Sequence, residues 1–259
     1  MNPVATGSGT LYLVATPIGN LSDLSARASE ILSEVDLIAC EDTRITGRLL
    51  AKLSIQIPLL SYREENEKPL SIELADQIEG GKTIALVSDA GCPNLSDPGF
   101  RLVRECHLRK IKVVPIPGPN AALSALIASG LPTHQFLYLG FLPKKSGAVR
   151  KILEKWKDFE GSLIFYESKY KFEKTLQLIQ ETFGEDRFVC MAREITKAHE
   201  TIRTSTVSEL INFCGDFISE PERILMGGPM MGQLLPTTDV PIIKGSSGEL
   251  LLLHTSILS

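Results

Sequence analysis

Two aspartates, Asp89 and Asp97, lie in the string S-D-A-G-C-P-N-L-S-D-P-G that runs from Ser88 to Gly99. Gly91 and Gly99 permit positive φ or close backbone approach, whereas Pro93 and Pro98 fix φ and remove N–H donors. The loop therefore presents its two carboxylates in a set shape, as a binding loop would. Two further clusters carry residue types suited to proton and anion chemistry: Cys40-Glu41-Asp42-Thr43-Arg44, and Arg193, Glu194, Lys197, His199 and Glu200. A carboxylate in the first can orient or deprotonate a hydroxyl, and Arg44 can pair with a phosphate. Lys197 would help by lowering the pKa of a hydroxyl. Each cluster also has a plainer reading. Asp42 or Thr43 would act as a helix N-cap with Arg44 in a surface ion pair, and the second cluster would be a charged edge strand.

The elements that position these residues follow from apolar periodicity. Thr83–Val87 is a short apolar run, read as a buried strand opening into the Ser88–Gly99 loop. Leu11–Ala15 leads in the same way into Val14–Asn20, Leu37–Cys40 into Cys40–Arg44, and Lys112–Ile116 into Pro115–Asn120. Ile57–Leu60 is a further strand. Helices are expected at Asp23–Leu32 with Ser22 or Asp23 as cap, at Thr43–Leu53, Pro69–Glu79, Pro98–Arg109 and Asn120–Ser129. Such alternation predicts a largely parallel sheet covered on both faces, in which ligands bind at the carboxyl ends of strands. Gly130–Thr133 reads as a linker, so domains are expected at residues 1–130 and 131–259. In the second, Phe136–Leu139, Leu163–Tyr166, Phe188–Ala192 and Thr201–Thr204 are strand-like, with helices at Ala148–Trp156 and Lys171–Phe183. The fold class expected is α/β, in two lobes with a cleft between them.

Composition narrows the function. The chain has 259 residues, 43% hydrophobic and 22% charged, the balance of an ordinary globular protein. Met1–Gly9 has no basic segment followed by an apolar stretch, so no secretory signal is expected, and no run approaches the roughly 20 apolar residues of a membrane span. Five scattered cysteines without a C-x-x-C pair imply reduced cytosolic thiols, and neither they nor the four histidines have metal-ligand spacing. G-x-G-x-x-G and G-x-x-x-x-G-K-[ST] are both absent, which removes the usual dinucleotide and nucleoside-triphosphate signatures. The net charge of −4 does not suggest a nucleic-acid protein, but local basic stretches override a total. Lys144, Lys145, Arg150, Lys151, Lys155 and Lys157 form one such stretch, and Arg101, Arg104, Arg109, Lys110 and Lys112 a second. Each is either a solvated helix face or a phosphate-facing surface.

Taken together, L-Y-L-V-A-T-P-I-G-N-L-S-D from Leu11 to Asp23, C-E-D-T-R, S-D-A-G-C-P-N-L-S-D-P-G, P-G-P-N-A and A-R-E-I-T-K-A-H-E resemble the RsmI-type members of the tetrapyrrole methylase superfamily. The resemblance runs in order from about Leu11 to Phe213. It implies S-adenosylmethionine-dependent methylation of a cytidine ribose 2′-hydroxyl in 16S rRNA of the small ribosomal subunit, by a cytoplasmic homodimer with the cofactor in the inter-lobe cleft. It further implies that Pro17, Gly19, Asp89, Gly91, Pro93, Ser96, Asp97, Ala121 and Ala122 line the cofactor, with Tyr166, Ala192 and Arg193 closing from the second lobe. Methyl transfer from a sulfonium requires no metal, only in-line approach and removal of a proton, and positioning supplies on the order of 7–11 kcal/mol. Asp89 or Asp97 would lie near the cationic end of the cofactor. Glu41, Asp42, Arg44 and Lys197 would serve the substrate side. A same-fold methyltransferase acting on a tetrapyrrole or a protein side chain is one alternative, and a non-catalytic binding or assembly module is another.

The tail departs from this pattern from about residue 219. Pro221–Gly232 and Val240–Gly245 resemble a segment of a membrane-associated Rnf-type electron-transport protein, without its iron–sulfur cysteines. Gly248-Glu249 and the four leucines after it are expected to supply the closing strand. At Glu167-Ser168-Lys169-Tyr170-Lys171 the family's proline is missing from the turn.

Overall fold

The structure, a computed structural model, describes residues 9–218 and 248–254, with side chains from Gly9 to Cys214. The chain divides into two compact units, Met1–Ala121 and Ala122–Ser259.

The first unit is built on five parallel strands: β1 (Thr10–Val14), β2 (Leu37–Cys40), β3 (Leu59–Ser61), β4 (Ile84–Val87) and β5 (Lys112–Ile116), in the order β3-β2-β4-β1-β5. All four residues of β4 are buried, as a central strand with both faces covered requires. The alternation is visible residue by residue. Ala39, Ile84 and Leu86 pack with α3 (Glu67–Glu79) and α4 (Phe100–Leu108), through Leu74, Ile78, Leu102 and Cys106. Ile38, Cys40, Ala85 and Val87 face the other way, onto Ala28, Leu32 and Leu50 of α1 (Ala26–Glu34) and α2 (Thr43–Lys52).

Several boundaries differ from expectation for local reasons. Helix α1 begins at Ala26, not Asp23, because the Ser25 hydroxyl accepts the Ala28 N–H at 3.1 Å. Leu21–Asp23 is instead a separate 3-10 turn, capped by Asn20 and ended by an extended Leu24. Helix α3 starts two residues before Pro69, which is tolerated there because first-turn N–H groups have no intrahelical partner. Helix α4 starts after Gly99, whose φ of 148° turns the chain into the helix. The strand expected at Ile57–Leu60 is displaced to Leu59–Ser61, in register with β2.

The second unit has a mixed sheet of β6 (Phe136–Phe141), β7 (Ser162–Ser168), β8 (Phe188–Arg193), β9 (Thr201–Thr206) and β10 (Gly248–His254), ordered β6-β7-β10-β8-β9. Strands β6 and β7 are parallel, and β8 and β9 antiparallel. The segment from Gly248 forms the closing strand, antiparallel to β7 on one side and to β8 on the other. One sheet face packs on α6 (Ser146–Lys155), α7 (Phe172–Phe183) and α8 (Val207–Ile218), and the other on α5 (Ala121–Ala128). Residues 194–200 are not an edge strand. They form a tight connection in which the Lys197 N–H donates to the Glu194 carbonyl at 2.9 Å, with φ of 51° at Glu194 and 66° at Thr196. The turn into α7 closes without proline, through a 2.9 Å bond from the Lys171 N–H to the Ser168 carbonyl. The Rnf-like segments at 221–232 and 240–245 lie outside the described residues.

Candidate active site

Because the first sheet is parallel, the loops after β1, β2, β4 and β5 all leave from one edge. The Ser88–Gly99 loop joins them. Thr16 and Gly91 exchange backbone hydrogen bonds of 2.9 and 3.0 Å, and the Thr16 hydroxyl donates to the Ser88 carbonyl at 3.1 Å. Asp89 Oδ1 accepts the Asp42 N–H at 3.0 Å, which fixes the loop after β2. Cys92 Sγ lies 3.5 Å from the Pro119 carbonyl and accepts from Asn120 Nδ2 at 3.6 Å, which fixes the loop after β5. One segment of five residues thus cross-links all four loops.

Glycine is required at two of these joints. Gly91 holds φ at 86°, and a Cβ on Gly118 would come within 2.9 Å of the Ala15 Cβ. The far end of the loop is held by Glu67, a buried α3 residue. Its Oε1 accepts the Gly99 N–H at 3.0 Å, the Arg101 N–H at 3.1 Å and the Tyr62 hydroxyl at 3.2 Å. It caps α4 from another helix, where Gly99 offers no side chain.

Three half-buried carboxylates share this edge. Burial, then the charge of Glu41, pushes Asp97 up to about 6 against an opposing hydrogen bond from the Ser88 hydroxyl. Burial also raises Asp89, with the Asp42 N–H hydrogen bond opposing it, and raises Glu41, aided by the charge of Asp89. Their mutual repulsion and desolvation favour either a proton or a cation among them. Asp42 behaves differently. It is the N-cap of α2, accepting the Arg44 N–H at 2.8 Å and the Arg44 guanidinium at 3.0 and 2.6 Å, and these bonds hold it well below the usual carboxylate range. The Arg44 side chain remains 82% exposed, so its outer face is open to an anion. Pro17 is half-buried and Pro93 buried, whereas Gly19 and Ser96 are exposed; Ser96 has φ of 65°. Ala121 is half-buried at the head of α5, and Ala122 is a core residue beneath it.

Within the second unit, Leu250 of β10 is the cross-strand partner of both Tyr166 and Ala192, which places these two at one level of the sheet. Tyr166 is half-buried, Ala192 buried, and Arg193 ends β8. Lys197 Nζ lies 3.1 Å from Glu194 Oε1. Beside it the Thr196 hydroxyl is buried with no hydrogen-bond partner among the described residues, so a polar ligand group would satisfy it.

Sequence reasoning missed Arg63 and Glu67. Arg63 Nε donates to the Glu41 carbonyl at 2.9 Å, and its charge lowers the pKa of Glu41 and Asp89 against the stronger effect of burial. Both residues act across the chain and carry no local pattern. The only available signal was a charged residue beside each of the two elements concerned.

A doubly covered parallel sheet with laced strand-end loops, followed by a mixed-sheet unit, defines the class. The family model of Tetrapyrrole (Corrin/Porphyrin) Methylases matches residues 10–211, and the chain belongs to that family. Among its relatives, ribosomal RNA small subunit methyltransferase I of Pasteurella multocida (strain Pm70) is 48% identical over 81% of this chain and 74% of its own length. The protein of the same name from Escherichia coli O157:H7 is 48% identical over 78% of this chain and 71% of its own. Solved structures share the fold at lower identity. Diphthine synthase aligns with a TM-score of 0.65 and 11% identity over 97% of this chain and 92% of that one. Uroporphyrin-III-C-methyltransferase from Thermus thermophilus aligns with a TM-score of 0.57 and 16% identity over 95% and 94%.

Proposed function

We propose that this chain is an S-adenosylmethionine-dependent methyltransferase that modifies a cytidine ribose 2′-hydroxyl in 16S rRNA of the small ribosomal subunit, as a cytoplasmic homodimer. The observation that carries the reading is the 48% identity, over four-fifths of the chain, to proteins named for small-subunit rRNA methylation. Among the described residues no helix is long and apolar enough to cross a membrane.

The residues present fit the cofactor. Asp97, pushed up to about 6, is ionised at neutral pH only against desolvation and repulsion, and a cation beside it relieves both. Within the second unit, the Thr196 hydroxyl has no hydrogen-bond partner among the described residues and would be satisfied by a polar ligand group. When bound, S-adenosylmethionine supplies an electrophilic methyl group on a sulfonium. Pro17, Gly19, Gly91, Pro93, Ser96, Ala121 and Ala122 would hold the cofactor, the glycines admitting close backbone approach. Asp89 and Asp97 place negative charge in the same wall. Tyr166, Ala192 and Arg193 are the cofactor residues we propose within the second unit.

On the substrate side the roles divide by protonation. Asp42 spends its oxygens on Arg44 and the α2 cap, so it positions and does not accept a proton. Glu41, raised by burial, is the better base: its carboxylate would take the 2′-hydroxyl proton while the ribose oxygen bonds to the methyl carbon and the carbon–sulfur bond breaks, its electron pair going to a neutral thioether that leaves. Arg44 pairs with a phosphate through its exposed face. Lys197 offers a positive charge that lowers the pKa of a hydroxyl brought to it.

The test is transfer of label from methyl-labelled S-adenosylmethionine to small-subunit particles from a strain lacking the endogenous enzyme. Label in a ribose 2′-position is the expected result. Cofactor binding without any RNA labelling would overturn the substrate assignment.

A further inference from the structure

We infer that the β6–α6 and β7–α7 connections of the second unit form a stacking and phosphate platform for single-stranded RNA, with Phe141 as the base-stacking residue and Lys144 and Lys145 as phosphate contacts. The inference rests on the RNA reading above and adds a site to it.

Strand β6 carries a β-bulge. Strand β6 pairs Tyr138 with Ile164, but the register then shifts, so that Gly140 faces Phe165 and Phe141 faces Tyr166. Gly140 adopts φ of 65° at the bulge. In an unbroken strand, residues three apart point to opposite faces. Here Tyr138 and Phe141 share the face of Ile164 and Tyr166, because the extra residue flips the second half of the strand. Both rings consequently meet Tyr166: Tyr138 edge-on at 6.0 Å, and Phe141 stacked at 4.9 Å with 30° between planes. Phe141 is the outer member of this trio and is 53% exposed, although it ends a strand that packs on a core. A phenylalanine brought to the surface by a bulge and backed by a second ring is a preformed stacking surface.

The charge around it is positive. Lys144 and Lys145 follow Phe141 closely enough that their Cα atoms lie within about 14 Å of it, and both side chains are exposed without an ion pair among the described residues. In the neighbouring β7–α7 turn, Lys169 is exposed over the ring of Tyr170, itself 87% exposed. The nearby acid, Glu167, is buried and spends its oxygens on the Thr175 hydroxyl and the Ser168 N–H. Strands β6 and β7 are parallel, so these two connections leave the sheet at one edge. Exposed aromatic rings interleaved with lysines that make no ion pair among the described residues match the chemistry of unpaired nucleotides: stacking for the base, cation for the phosphate. A double helix offers no free base face to Phe141, which is why the occupant is single-stranded.

The experiment measures binding of a fluorescein-labelled oligocytidylate to the full chain by anisotropy across a salt series, alongside calorimetric titration with S-adenosylmethionine. Phe141→Ala is expected to weaken RNA binding by about 5- to 150-fold, the range for loss of one stacked base, with Phe141→Trp restoring it. Lys144→Ala/Lys145→Ala is expected to make the slope of log affinity against log salt shallower by about 1.4, two single-strand phosphate contacts. Unchanged RNA affinity in Phe141→Ala, an unchanged slope in the lysine pair, or a loss of cofactor affinity equal to the loss of RNA affinity overturns the inference. The last result would mean that Phe141 only props Tyr166. Phe141-dependent RNA binding by a chain that methylates no rRNA removes the proposed activity and leaves this site standing; rRNA methylation indifferent to Phe141 does the reverse.

Discussion

Replacing Glu67 with alanine removes the acceptor that fastens the Ser88–Gly99 loop to α4. Its Oε1 receives two backbone N–H groups, at 3.0 Å from Gly99 and 3.1 Å from Arg101. Hydrogen bonds to a charged group contribute about 1.5–3 kcal/mol each, and a buried donor left unpaired costs its desolvation. The Gly99 bond is buried and the Arg101 bond part-buried, so water replaces only the second at all well. Tyr62 retains its 2.8 Å partner Ser71 and adds little to the loss. A total near 3–4 kcal/mol follows. For a protein of this size that lowers Tm by roughly 6–16 °C. Glu67→Gln keeps an acceptor oxygen but not its charge, and about half the loss is expected. Urea and thermal unfolding give the magnitude, and amide hydrogen exchange locates it, since Gly99 and Arg101 should lose protection before the β4 amides do. Stability of Glu67→Ala within about 0.5 kcal/mol of the parent, the ordinary scatter of surface substitutions, would refute the capping argument. Equal loss in the alanine and glutamine variants would refute the part assigned to charge.

Asp97→Asn should stabilise the protein near neutral pH. A carboxyl raised from 3.8 to about 6 contributes stability below pH 4 that is lost as pH rises through 6; urea melts from pH 4 to 8 should show the variant's advantage growing between about pH 4 and 6 and level above that, and cofactor affinity should fall in calorimetry. Glu41→Gln is expected to lower kcat for rRNA methylation by about 10²–10⁴-fold with cofactor affinity retained, and a kcat within a factor of a few of the parent would remove Glu41 as the base. Gly99→Ala places a Cβ 2.9 Å from Leu86 Cδ2 and from Asn94 Cβ at a φ of 148°, and should cost on the order of 1–3 kcal/mol by the same unfolding measurements.

What the chain declares in its sequence is mainly local. Strands β1, β2, β4 and β5 are short apolar runs bounded by Gly, Pro and Asp, and they occur where that pattern predicts. The Asp42 cap is equally legible, because the acceptor and the amide it serves are two residues apart. The cap on α4 is not, since Glu67 reaches Gly99 across 32 residues and no spacing rule connects them. The bulge in β6 left only a slight local signal, the lone Gly140 inside an apolar run, and the register shift itself shows only in the pairing with β7. Asp89 and Asp97 stood out as acids in a stiff loop, but their electrostatic coupling to Glu41 appears only once β2 and β4 lie side by side.

The position of β10 has a consequence for how the molecule is made. This strand fills the gap between β7 and β8, and it comes more than forty residues after the end of β9 in the chain. While the chain emerges from the ribosome, β6–β7 and β8–β9 can each pair locally, yet the two halves present open backbone edges until Gly248–His254 arrives. Completion of the second unit is therefore a late, long-range event, slow in the manner of folds rich in distant contacts. A chain stopped short of Gly248 would carry two unpaired strand edges facing each other, which makes pairing with another nascent copy its readiest alternative.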